Sequence, residues 1–198
     1  LQEAAVCFFA RLEYDKLCRV AERRRHIANE ILTTEKSFVD SLHVILDVFG
    51  HELLSAKLVD DAGLRMLFPE VKTIISVNSD LRDKLAEKLA DWRWTTCLGP
   101  LFIQYIPLLK AYTHFVNLFP AAMALVKKRT DEEPEFKAAI ERAQGNARCA
   151  HNDLSSFMIM PVQRVPRYVL LLEDLLKSTP PGHCDHDALK EAASKIKE

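Results

Sequence analysis

The chain has 198 residues, which is enough for one domain with a well-buried core and few for two independent domains. Its 27 basic and 28 acidic residues give a net charge of −1, so no broad positive field is available to attract phosphate backbones, and nucleic acid is not an expected partner. Only 5 residues are glycine and strand-like alternation is scarce, so the composition indicates an all-α protein.

The cysteine spacing and the length of the uncharged segments indicate the cellular compartment of the protein. The five cysteines include no C-x-x-C pair and are not regularly spaced, which argues against zinc ribbons and disulfide frameworks. This pattern favours a reducing, intracellular compartment. The longest run without charged residues is the sixteen residues from Trp94 to Leu109, shorter than the roughly 18 to 20 that a membrane span needs. The opening residues lack a basic n-region, so no secretory signal is predicted. We expect a cytoplasmic protein without a membrane span.

The first half of the chain predicts one extension helix and one long helix. Residues 1–22 carry their own apolar positions, which predict an N-terminal extension helix packed on a main domain at 23–198. The positions that would pack are Val6, Phe9, Leu12 and Leu17. Further on, apolar residues at steps of three, four or seven predict a long helix that ends at Gly50. Its buried stripe is Ile27, Ile31, Phe38, Leu42, Ile45 and Phe49.

The middle of the chain predicts further helices. Residues 51–92 predict shorter helices punctuated by Gly63 and Pro69. A helix is expected to begin at Gly99-Pro100, since proline suits a first helical turn, and Pro107 is expected to kink it.

The segment from residue 120 to residue 157 predicts two more helices. A short one begins near Pro120, and the stretch KKRTDEEPE then forms a solvated loop. A long helix follows from Pro134 to Phe157, with steps of four and three between its apolar residues. The whole pattern predicts an elongated multi-helix bundle.

The stretch SSFMIMPVQRVPRYVLLLEDLLKSTP, residues 155–180, interrupts an apolar helix with Pro161 and Pro166. If the preceding helix persists this far, polar and apolar residues share the face opposite its core stripe: Asn152, Ser156, Ile159 and Gln163. Neighbouring helices could cover both faces, or the break could shape a docking surface. Beyond Pro166 the residues expected in the core are Tyr168, Leu171, Leu172 and Leu175.

Three segments resemble the conserved regions of Dbl homology domains, the guanine-nucleotide exchange modules for Rho-family GTPases. The first is NEILTTEKSFVDSL (29–42), the second is LFPEVKTIISVNSDLRDKL, and the third is SFMIMPVQRVPRYVLLLEDLLKSTPPGHCDHDAL. Together they span residues 24–198 in the family's order. The resemblance implies an elongated all-helical bundle.

The same resemblance implies a function without covalent chemistry. Such a domain binds a Rho-family small GTPase, of Rho, Rac or Cdc type, and prefers the nucleotide-free form. It remodels switch 1 and switch 2 and so releases GDP. No cofactor, catalytic residue or metal is expected. A pleckstrin homology domain usually follows in the family, and regions outside this chain could recruit the protein to the plasma membrane.

The resemblance also implies which residues contact the GTPase. Glu30 would contact switch 1, with Thr34 in the same motif and Glu35 as its rival. The positions implied for switch 2 and its neighbouring strands are Asn152, Ile159, Met160, Val162, Gln163 and Arg167, with Lys197 near the end of the domain. Arg164 could equally hold the bundle together.

Two departures from the family pattern keep a second function open. Many family members have a lysine at the position of Met160, and many have a small polar residue near the position of Lys197. The alternative is a helical scaffold or adaptor that binds a GTPase or other partners without efficient exchange. The segment 183–186 (HCDH) contains residue types that bind zinc, but we do not expect a metal site there. Aspartates that cap a final helix from about residue 187 are the simpler explanation.

Overall fold

The computed structural model describes residues 2–197, with side chains described from residue 10 onward. Within that range the chain forms ten α-helices and no strand, so the predicted all-α class is confirmed. The helices are α1 (Gln2–Val44), α2 (His51–Ser55), α3 (Asp61–Leu67), α4 (Val71–Ala90), α5 (Gly99–Tyr105), α6 (Lys110–Glu132), α7 (Pro134–Gln144), α8 (Leu154–Met158), α9 (Met160–Lys177) and α10 (His186–Lys195). None of the described helices is long and apolar enough to cross a bilayer.

The chain divides into two compact units. Unit 1 comprises residues 2–33, 84–106 and 168–197 of the described chain, and unit 2 comprises residues 34–83 and 107–167. Each unit has its own buried residues, drawn from segments far apart in sequence.

Unit 1 is built around the contact between α5 and α10. A Cβ atom added to Gly99 would lie 2.5 Å from the backbone of Leu189, so only glycine permits this close approach. The ring of Phe102 meets that of Tyr168 edge-on at 5.9 Å. The residues expected in the core at the end of α9 are buried, as predicted: Tyr168, Leu171, Leu172 and Leu175.

Unit 2 has a larger apolar core. It includes side chains from the end of α1, from α3, α6, α7 and α8, and from the start of α4. The stripe predicted for the first long helix is buried in both units, so this prediction is confirmed. Its members are Ile27, Ile31, Phe38, Leu42, Ile45 and Phe49, with exposed fractions of 5% or less.

The predicted stop at Gly50 is wrong. A π-helical turn, Ile45–Gly50, joins α1 to α2, and Gly50 itself has helical φ and ψ angles. The helical path ends at Lys57, which takes the left-handed conformation at φ 56°. Leu58 N donates to Leu53 O and Lys57 N to Leu54 O, which is the Schellman pattern. Gly50 serves packing instead, since an added Cβ would lie 3.3 Å from Leu64.

The predictions around the prolines were partly wrong. A helix does begin at Gly99 with proline in its first turn, and a 3-10 turn, Ile106–Leu109, breaks the path at Pro107 as expected. Pro120 begins no new helix, because it lies inside the continuous α6. Most of KKRTDEEPE therefore belongs to α6 rather than to a loop.

The long helix predicted from Pro134 to Phe157 is interrupted. It ends at Gln144, and a 3-10 turn, Ala147–Cys149, follows. Ala150 and His151 both have positive φ angles, 47° and 68°, before α8 begins.

Residues 2–22 are the start of α1 rather than a separate helix. The predicted packing is not seen at Leu12 and Leu17, which are 39% and 54% exposed. The side chains of Val6 and Phe9 lie outside the described residues.

Candidate functional site

A buried ion pair fixes the part of unit 2 that carries most of the expected site residues. Arg164 Nη2 on α9 donates to the Glu35 carboxylate on α1, and the two side chains are 3% and 0% exposed. The Arg164 guanidinium also lies 4.9 Å from the centre of the Phe38 ring. Glu35 is therefore not accessible to a partner, and Arg164 holds the helices together. These contacts resolve the two alternatives that the sequence left open at Glu35 and Arg164.

Three polar site residues lie beside this buried pair in unit 2. Thr34 directly precedes Glu35 and is half-buried. Gln163 directly precedes Arg164, and Arg167 follows it by three residues; both are exposed. The ion pair that anchors the two helices thus leaves these neighbours at the surface of the unit.

The break predicted at Pro161 is present. α8 ends at Met158, Ile159 is its C-cap, and α9 begins at Met160. Ile159, Met160 and Val162 are half-buried, and the last two pack against the apolar core of unit 2. Neighbouring side chains therefore cover this stretch only in part, and its use as a docking surface stays a prediction.

Asn152 does not share a helical face with Ile159 and Gln163, because the helix is broken before it. Asn152 is exposed in the turn ahead of α8, and its Nδ2 donates to Cys149 O at 3.1 Å. The next residue, Asp153, accepts hydrogen bonds from the backbone N of Ser156 at 2.7 Å and from its hydroxyl at 2.6 Å. These bonds cap α8 and lower the pKa of Asp153 below its usual value.

Unit 1 carries the other two expected site residues. Glu30 is exposed on α1, beside the buried Ile31. Lys197 is exposed, and its Nζ lies 2.6 Å from Glu173 Oε1. The hydrogen bond from Lys197 lowers the pKa of the Glu173 carboxyl. Lys197 is therefore already engaged by an acidic neighbour.

Unit 1 also contains a buried ion pair, formed by Arg24 and Asp185, that the sequence analysis did not predict. Arg24 donates to Asp185 Oδ2 at 2.7 Å and to Thr179 Oγ1 at 3.1 Å, and both members of the ion pair are fully buried. Asp185 also accepts from Leu98 N at 2.9 Å and Gly99 N at 2.8 Å, at the start of α5. Asp185 thus caps α5 from a distance rather than its own helix α10, so the predicted capping is wrong for this residue.

The segment considered for a metal is used in other ways. Within residues 2–197 no group of three or more potential ligands is placed to hold a metal ion. His183 Nδ1 accepts from the backbone N of Asp185, and its Nε2 lies 2.5 Å from Trp94 O.

The sequence resembles a known domain family and several known proteins. Residues 27–198 match the sequence model of the RhoGEF domain. Human intersectin-1 is 30% identical over 187 residues, which are 93% of this chain and 11% of that protein. Human FYVE, RhoGEF and PH domain-containing protein 4 is 32% identical over 189 residues, 93% of this chain and 25% of that protein. Mouse Rho guanine nucleotide exchange factor 10 is 33% identical over 178 residues, 87% and 13% respectively.

Solved structures show the same fold at lower identity. The linker-DH/PH domains of p115-RhoGEF superpose with a TM-score of 0.83 at 21% identity, covering 90% of this chain and 55% of that one. The DH/PH domains of PDZ-RhoGEF, solved in complex with GTP-γ-S-activated RhoA, superpose with a TM-score of 0.82 at 22% identity, covering 90% and 51%. The chain thus spans about half of these solved chains and a quarter or less of the curated relatives.

The shared fold is that of the DH domains in these RhoGEF structures. With nearly nine tenths of its length matched by the family model, this chain belongs to the RhoGEF domain family.

Proposed function

We propose that this chain is a guanine-nucleotide exchange module, which releases GDP from a Rho-family small GTPase. The observation that carries the proposal is the RhoGEF match over residues 27–198. The RhoA complexes of the PDZ-RhoGEF DH/PH domains support a Rho-type partner. The three quoted segments that resemble Dbl homology domains begin at Asn29 and end at Leu189, so they lie inside the matched range.

Exchange of this kind requires no covalent step, so its physics is that of linked equilibria. A protein that binds the nucleotide-free GTPase better than the loaded form weakens nucleotide binding by the same factor. The module would therefore stabilise the empty GTPase, remodel its two switches and let GDP leave before GTP enters.

Glu30 is the residue we propose for switch 1, and Thr34 is proposed as a further GTPase-binding residue. Glu30 is exposed, and a carboxylate can accept charge-assisted hydrogen bonds from a partner's backbone or hydroxyl groups. Burial of Glu35 against Arg164 supports this choice, because it removes the rival carboxylate in the same motif.

For switch 2 and the adjoining strands we propose residues from unit 2, with Lys197 as an additional contact. They are Asn152, Ile159, Met160, Val162, Gln163 and Arg167. The exposed Gln163 and Arg167 can supply polar contacts, and the half-buried Ile159, Met160 and Val162 can supply apolar ones.

The proposed exchange module spans residues 23–198, with residues 1–22 as its extension.

We further propose that a pleckstrin homology domain follows this module in the full-length protein, which would act in the cytoplasm and reach the plasma membrane through regions outside this chain. The DH/PH pairing in the similar solved structures supports this arrangement.

A scaffold or adaptor without efficient exchange is the second candidate. Met160 packs against the core of unit 2 where many relatives have a lysine, and Lys197 is bound to Glu173. Both observations reduce the polar contacts available to switch 2.

The experiment that separates the two candidates compares affinities across nucleotide states. The chain is titrated against Rho, Rac and Cdc-type GTPases that are nucleotide-free, GDP-loaded or GTP-loaded. An exchange module binds one nucleotide-free GTPase far more tightly than either loaded form. Equal affinity for all three states would support the scaffold.

A further inference from the structure

Two thiols meet in unit 1. Cys97 Sγ and Cys184 Sγ lie 3.3 Å apart, although 87 positions separate the residues in sequence. Each sulfur also lies 3.4 Å from the carbonyl oxygen of Thr95. A disulfide bond is about 2.05 Å long, so the two sulfurs need to approach by only about 1.3 Å to form one.

The backbone on both sides of this thiol pair is fixed by one buried side chain. Arg24 donates to the carbonyl of Trp94 at 3.1 Å, three residues before Cys97. It also donates to the carboxylate of Asp185 at 2.7 Å, directly after Cys184. The proximity of the thiols therefore follows from the fold of unit 1.

The two cysteines differ in their surroundings. Cys184 is exposed, whereas Cys97 is half-buried. Burial and the hydrogen bond to Cys184 raise the pKa of Cys97 to about 11, so Cys97 keeps its proton at neutral pH. A soluble oxidant thus reaches Cys184 first, while Cys97 remains a thiol beside it.

We propose that Cys97 and Cys184 form a redox-modification site, which a peroxide converts to an intramolecular disulfide. The Cys184 sulfur attacks hydrogen peroxide, the O–O bond breaks, and a sulfenic acid forms while the released hydroxide takes the Cys184 proton to become water. The Cys97 sulfur then attacks the sulfenyl sulfur, the S–S bond forms, the S–O bond breaks, and the departing hydroxide takes the Cys97 proton as a second water. The pair loses two electrons, which the peroxide gains. A dithiol reductant reverses the change.

The disulfide would tie the segment before α5 to the segment before α10. A covalent link across so long a stretch of chain restricts the unfolded state, so the oxidised protein should unfold at a temperature several degrees above that of the reduced protein.

The test treats the folded, reduced chain with limiting hydrogen peroxide, alkylates the remaining thiols and maps the peptides by mass spectrometry. The expected result is one intramolecular Cys97–Cys184 linkage, with the loss of two titratable thiols that dithiothreitol restores. Cys18 and Cys149 should remain alkylatable after denaturation. A sulfinic acid on Cys184 with Cys97 still free, or disulfides only between molecules, would overturn the proposal.

Single variants test the order of the steps. In Cys97→Ser the oxidation should stop at a Cys184 sulfenic acid, which dimedone traps. In Cys184→Ser the Cys97 thiol should survive the same treatment. Cys18→Ser is the matched control and should still form the linkage. Equal labelling of Cys184 by dimedone in the wild type and in Cys97→Ser would show that Cys97 does not resolve the sulfenic acid. These readouts require no GTPase, so their failure is separate from any failure of the exchange assay.

Discussion

Replacing Asp185 by alanine should destabilise the protein strongly, because one carboxylate serves two roles in unit 1. It is the counter-charge of the fully buried Arg24, at 2.7 Å, and it accepts the backbone amides of Leu98 and Gly99 at 2.9 and 2.8 Å. Removing one partner of a buried pair costs about 3 to 5 kcal/mol. Losing a helix cap costs about 1 kcal/mol.

The two costs overlap because they belong to the same side chain, so we expect a loss of about 4 kcal/mol in the free energy of unfolding. For a chain of this length that loss corresponds to a fall of roughly 8 to 16 °C in Tm. The assay is thermal and urea unfolding of the reduced protein, followed by circular dichroism. Asp187→Ala is the matched control, since its side chain is 99% exposed, and it should stay within about 0.5 kcal/mol of the wild type.

A double-mutant cycle isolates the ion pair. Arg24→Met combined with Asp185→Ala removes both charges, so the double variant should lose less than the sum of the two single losses. The reasoning would be refuted if Asp185→Ala lay within about 1 kcal/mol of the wild type, or if the single effects were simply additive.

Three further predictions concern the proposed interface and the cap of α8. Glu30→Ala should abolish exchange but change the free energy of unfolding by no more than about 0.5 kcal/mol, whereas Leu175→Ala, in the core of unit 1, should cost about 2 to 5 kcal/mol and lose exchange only as it unfolds. The GDP-release rate and Tm are measured for both variants. Normal exchange by a folded Glu30→Ala variant would reject the proposed switch 1 contact. Met160→Lys should make exchange more sensitive to ionic strength than in the wild type, and equal slopes across a salt series would remove Met160 from the interface. Asp153→Ala should cost about 1 kcal/mol in the free energy of unfolding at neutral pH. Because the pKa of Asp153 is lowered in the folded state, its contribution to stability is present above about pH 4 and is lost as the pH falls further. The difference in stability between the wild type and Asp153→Ala should therefore disappear in acid, and a difference independent of pH would contradict this.

Helical periodicity predicted much of the buried core. The stripe on α1 could be recognised because steps of three and four keep residues such as Ile27 and Ile31 on one face, whatever they pack against. The same rule failed between Pro134 and Phe157, because Ala147 stays in phase with the stripe although the helix has already ended. The turn residues Gly145 and Asn146 were the signal that marked this break.

The buried ion pairs could not be predicted from local patterns. Glu35 lies on the apolar stripe of α1, but its partner Arg164 is 129 residues away. Arg24 and Asp185 are separated by 161 residues. Only the folded chain brings these charges together, so the sequence alone left Glu35 as a rival to Glu30 and assigned Asp185 to the wrong helix.

The most direct test of the central proposal is the rate of fluorescent GDP release from Rho, Rac and Cdc-type GTPases, measured with the chain at a concentration well below that of the GTPase. An exchange module acts repeatedly, so at least one GTPase should release its GDP completely and much faster than it does alone. Asp187→Ala should match the wild type, and Glu30→Ala should return the rate to the intrinsic one. If the folded chain accelerates release from none of the GTPases, the exchange function is contradicted and the scaffold remains.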